Sequence, residues 1–147
     1  MYPEETEQLL AKGREALAND QEYLALVCFE KAIRMEWSPE ACSSLAYCRA
    51  KVKGNYPESI LLARKALELE PDNPVHYGNL GRILILSGEV DEGIRMLRQG
   101  LHHGEHIDII RELERLGIRK PPIFRKLARG HPLNRQVGLL LSRLGFR

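Results

Sequence analysis

The sequence predicts an all-α protein built from stacked antiparallel helix pairs, and three observations predict it. First, the segments ending at Ala32, Ala66 and Gly100 superpose, and these end residues lie 34 positions apart; a fixed period of that length is the mark of a helical repeat. Second, small residues recur in pairs, Gly13 with Ala25 and Gly81 with Gly93, 12 positions apart in both cases. Third, Leu, Ala, Arg, Glu and Gly dominate while aromatic residues make up 6%, a balance that favours helices over a β-rich core.

The elements follow in order. The first repeat, about 6–38, carries Leu9-x-x-Lys12-Gly13 on its first helix and Ala25-x-x-x-Phe29-x-x-Ala32 on its second. In the second, about 39–72, Ser38-Pro39 reads as an N-cap and first helical residue, and Leu45-Ala46 repeats the apolar-small pair. Ala46 to Ser59 is 13 positions, which puts one extra residue in the turn from Lys53 to Pro57 and makes Pro57 the start of the next helix. The third repeat, about 73–104, opens on Asn73-Pro74 and continues with Tyr77-x-x-Leu80-Gly81, then Gly93-x-x-x-Leu97-x-x-Gly100. Gly13, Ala46 and Gly81 are expected to face Ala25, Ser59 and Gly93 where the two helices of each pair cross at short distance.

An array of this kind leaves an apolar face open at its end. Ile109, Ile110, Leu113 and Leu116, at helical spacing within 105–117, supply a capping helix that Gly117 stops. Residues 118–147 form a C-terminal extension: Lys120-Pro121-Pro122 is extended, Ile123, Phe124 and Leu127 suggest a short helix, and Leu133, Val137, Leu140, Leu141 and Leu144 lie on one face of an amphipathic helix. Charge separates this extension from the repeats. Residues 1–114 hold 13 basic against 20 acidic side chains, a net of −7, whereas residues 115–147 hold nine basic and no acidic ones, a net of +9. Three placements satisfy the amphipathic pattern: the extension completes the helical stack, it occupies the concave groove of its own or a neighbouring copy, which would give autoinhibition or a homodimer, or it lies on an anionic membrane surface.

The residues of the three superposed segments and their 34-residue spacing resemble the tetratricopeptide repeat (TPR) family over about residues 4–104. The resemblance implies a right-handed superhelix of antiparallel helix pairs, here followed by capping and C-terminal helices. It also implies an adaptor or co-chaperone-like scaffold that binds another protein or peptide in its concave groove. Carried over by repeat position, the groove would be lined by Leu10, Arg14 and Leu17 from the first repeat, Ser43, Tyr47 and Lys51 from the second, and Arg82, Ile85 and Leu86 from the third. Leu10, Leu17, Ile85 and Leu86 would be apolar anchors and Arg14, Lys51 and Arg82 cations, suiting a segment with apolar and acidic residues. The carboxylate clamp found in some TPR domains is not expected, because of its positions only Asn79 carries the required residue.

Nothing in the sequence points to catalysis: there is no GxxxxGK[ST] phosphate loop, no GxSxG elbow and no cysteine free of a packing helix to pair with a histidine. His102, His103 and His106 beside Glu105 and Asp108 form HHxxH instead of the helical HExxH of a zinc site, so neither a metal nor any other cofactor is expected. Cys28, Cys42 and Cys48 lack CxxC spacing and read as reduced structural thiols. With no apolar segment long enough to span a bilayer and an acidic N-terminus without a signal-peptide core, the expected location is cytoplasmic. The basic extension supplies an alternative reading, contact with nucleic acid or an anionic membrane, which the acidic repeats disfavour.

Overall fold

The computed structural model describes residues 3–117 and, beyond them, Arg143. The described chain is helical, with no strand among those residues, and runs α1 (Pro3–Ala18), α2 (Glu22–Met35), α3 (Pro39–Lys53), α4 (Tyr56–Leu69), α5 (Pro74–Leu86), α6 (Val90–His103) and α7 (Ile107–Arg115). The chain divides into two compact units, residues 1–113, which hold the helices up to most of α7, and residues 114–147. The extended Lys120-Pro121-Pro122 stretch and, Arg143 apart, both helices expected after it lie outside the described residues.

Local chemistry explains where the helices begin and end. The Ser38 hydroxyl accepts the Ala41 backbone N–H at 3.2 Å and the Asn73 side-chain oxygen accepts that of Val75 at 3.0 Å, so both expected N-caps form, each followed by proline. Pro57 sits in the first turn of α4, as the extra turn residue requires. Gly54 closes α3 in the left-handed region at φ 70°, with its N–H returning to the Ala50 carbonyl. Within 1–113, α1 packs on α2, α3 on α4 and α5 on α6, while α2 meets α3 and α3 meets α5 to join successive pairs.

The helix pairs approach as closely as the small residues allow. A Cβ added to Gly81 would lie 2.9 Å from the Gly93 carbonyl oxygen, and one added to Gly93 would lie 2.7 Å from that of Gly81. Here the two backbones touch, as expected. In the first pair the arrangement differs: a Cβ on Gly13 would meet the Phe29 ring at 2.7 Å, so the residue that needs the space is Phe29, rather than Ala25. Phe29 is completely buried among Leu10, Ala16, Leu26 and Leu45. A second cluster, centred on Leu80, Ile83 and Leu84, joins α3, α4 and α5. At the far end Ile109 of α7 fits between Gly78 and Gly100, where added Cβ atoms would stand 3.1 and 2.8 Å from its side chain. Ile109 thereby ties α7 to α5 and α6.

Candidate functional site

Helices α1, α3 and α5 are the first members of their pairs and present one common face, since Arg14 of α1 reaches Glu40 of α3 and Arg82 of α5 lies over Tyr47 of α3. Of the nine side chains expected there, several prove to be committed to the fold. Ser43 is completely buried, because α3 packs on α5 and its hydroxyl is 2.8 Å from His76 Nδ1 and accepts from Asn79 Nδ2 at 2.9 Å. It offers no surface to a partner. Leu10 belongs to the core around Phe29, and Ile85 is half-buried with its side chain against Gly93, where α6 comes close enough to take it. Leu17 and Leu86 are half-buried against the same clusters. Lys51 is exposed and reaches toward Glu22 at the start of α2, at 3.9 Å.

The two arginines are held in different ways. Arg14 donates to Glu7 Oε1 and to Glu40 Oε1, both at 2.6 Å. Partial burial works against its charge, but the two hydrogen bonds and the attraction of both carboxylates outweigh it and raise its pKa. Arg82 has no carboxylate within ion-pair distance among the described residues. Its guanidinium lies 3.9 Å over the Tyr47 ring and donates to Asn79 Oδ1 at 2.6 Å and, at 3.4 Å, to the Gly78 carbonyl. The cation–π contact and the hydrogen bonds fix its position.

A polar chain, buried at His76, Ser43 and Asn79, stands behind Arg82, and sequence reasoning missed it. Glu70 Oε2 lies 2.7 Å from His76 Nε2, His76 Nδ1 faces Ser43, Ser43 accepts from Asn79, and Asn79 accepts from Arg82. If Nε2–H donates to Glu70, the Nδ1 lone pair accepts the Ser43 hydroxyl, so every member is satisfied. The hydrogen bond from His76, joined by one from Asn73, holds the Glu70 carboxyl below its ordinary pKa. Ser43, His76 and Glu70 have the connectivity of a hydrolytic triad. Both Ser43 and His76 are 0% exposed, however, so the hydroxyl cannot meet a substrate, and the chain instead fastens α3 to α5.

Two of the three histidines near the end of the third repeat have neighbours of their own. His103, at the end of α6, stacks on Tyr77 with ring centroids 5.0 Å apart and faces Asp72, and His106 Nδ1 lies 3.9 Å from Asp108, beyond hydrogen-bond distance. Among the described residues no group of three or more His, Cys, Asp or Glu side chains is placed to hold a metal ion. All three cysteines are free and buried; burial pushes the Cys48 thiol up to about 12 and raises that of Cys42.

These features define a helical-repeat protein whose distinctive surface is the face shared by α1, α3 and α5. Residues 62–95 match the tetratricopeptide repeat family, a stretch that runs from within α4 across α5 into α6. Solved TPR structures share the fold. The TPR domain of Sgt2 from Aspergillus fumigatus superposes with a TM-score of 0.58 at 18% identity, with 78% of each chain covered. The first TPR domain of human RPAP3 gives 0.59 at 15% identity, covering 78% of this chain and 91% of that one. Yeast Tom70 gives 0.51 at 20% identity over 98% of this chain but 35% of its own, so the chain spans about a third of that protein. The family match is to residues 62–95, and the fold is that of solved TPR domains.

Proposed function

We propose that the protein is a scaffold that binds a peptide segment of another protein on the face formed by α1, α3 and α5. The observation that carries this reading is Arg82: a cation without a carboxylate partner among the described residues, held in place by Tyr47 and by an amide at the end of a buried hydrogen-bonded chain. Fixing a long polar side chain in advance lowers the entropy cost of binding, and Arg and Tyr are the residue types that dominate interface hot spots. Three free, buried thiols fit a reducing, cytoplasmic setting. No helix among the described residues is long and apolar enough to cross a membrane.

The test compares the proteins retained by the immobilised full chain with those retained by a variant carrying Arg14→Ala, Tyr47→Ala and Arg82→Ala. Partners that depend on this face are retained by the first and lost from the second. Identical recovery by both would remove the face from the account. Salt separates the alternative reading by slope: binding of the basic extension to nucleic acid or an anionic membrane falls in proportion to the phosphates contacted, by orders of magnitude for several contacts, whereas a face holding one or two charges loses only several-fold.

A further inference from the structure

The face shared by α1, α3 and α5 carries opposite charges at its two ends, and this polarity specifies what it recognises. At the end formed by α1 and the start of α3, one guanidinium lies between two carboxylates, Arg14 with Glu7 and Glu40. The cluster keeps one negative charge, and among the described residues no second cation reaches either carboxylate within ion-pair distance. At the other end Arg82 carries a positive charge that no described carboxylate neutralises, with its orientation set by Asn79 and Tyr47. Between them the apolar positions are occupied in packing: Leu10 in the first core and Ile85 against Gly93. Charge is therefore what the face has left to offer a partner.

We infer that this face selects an extended peptide carrying a basic residue and an acidic residue three or four positions apart, the basic one against Glu7 and Glu40 and the acidic one against Arg82. The inference rests on the proposed binding role of this face and names its ligand chemistry. The spacing comes from helix geometry. Glu40 and Tyr47 are seven residues apart on α3, about 10 Å at a rise of about 1.5 Å per residue, and Arg82 lies one helix further across. An extended chain covers about 3.3 Å per residue, so about three or four residues span the two ends. A uniformly acidic segment would gain at Arg82 and be repelled at Glu7 and Glu40; a uniformly basic one would meet the reverse.

The experiment selects binders to the full chain from a phage-displayed library of random peptides about 12 residues long, then measures their affinities for the wild-type chain, Glu7→Gln/Glu40→Gln and Arg82→Gln. Selected peptides are expected to share a Lys or Arg and an Asp or Glu at a spacing of three or four. Each variant is expected to weaken them by about tenfold, restored in the first by exchanging the peptide's basic residue for Gln and in the second by exchanging its acidic residue. Circular dichroism melts establish that the variants fold. Independently of any variant, binding to the wild-type chain should weaken about fivefold or more as NaCl rises from about 50 to about 500 mM. Peptides that bind this face without the charge pair, or whose affinity ignores both salt and substitution, would overturn the inference while leaving the face as a binding site. Failure to enrich any peptide, or enrichment only of peptides indifferent to Tyr47→Ala as well, would overturn the binding reading itself.

Discussion

Single atoms decide much of this fold. Gly81 is required because a Cβ there would stand 2.9 Å from a backbone oxygen of α6, which cannot move without shifting the helix. Gly81→Ala should therefore destabilise the chain by roughly 1–3 kcal/mol, as overpacking does, measured as a lower urea midpoint at unchanged slope. Glu70 gives a pH dependence of definite sign. Its folded pKa is depressed by hydrogen bonds from His76 and Asn73, so it contributes stability that is present above the ordinary carboxylate range. That contribution is lost as pH falls through the depressed value. Thermal melts between about pH 6 and pH 3 should show this acid destabilisation, and Glu70→Gln should reduce its steepness. The thiols are equally constrained. With Cys28, Cys42 and Cys48 all buried and the Cys48 thiol pushed up to about 12, a disulfide reagent should label none of them in the native chain and all three after denaturation.

At the scale of the element, what was legible in the sequence is what is encoded locally. Ser38-Pro39 and Asn73-Pro74 marked two helix starts because capping involves groups two or three residues apart, and Pro57 marked a third because the fixed φ of proline suits the first turn. Replacing Ser38 by Ala should cost about 1 kcal/mol of stability, visible as a lower melting temperature with α3 still formed. The face of α1, α3 and α5 was legible only in part, because its chemistry is set between distant residues. Ser43 and His76 are 33 positions apart and Arg14 and Glu40 are 26 apart, and no periodicity announces either pair. Repeat position alone placed Ser43 and Ile85 in the groove. The close approach of α5 to α3 and of α6 to α5 buried the first and half-buried the second. The capping helix was readable from its stripe of isoleucine and leucine, yet the fit of Ile109 between Gly78 and Gly100 arises only when α5, α6 and α7 come together. Ile109→Ala should destabilise by about 2–5 kcal/mol, with amide exchange accelerated first in α5 and α6.

At the scale of the molecule, a repeat array exposes the first helices of its pairs side by side, so side chains far apart in sequence can form one recognition surface. The surface proposed here is built less from apolar anchors than from fixed charges, with the hydrogen-bonded chain from Glu70 to Asn79 holding Arg82 in position. The central claim is that partners bind there. Amide and side-chain chemical shifts of the isotopically labelled full chain, recorded with a selected peptide added stepwise, test it most directly. The account predicts that the largest perturbations fall on Glu7, Arg14, Glu40, Tyr47 and Arg82. Perturbations confined to α2, α4 and α6, with those five residues unmoved, would contradict it.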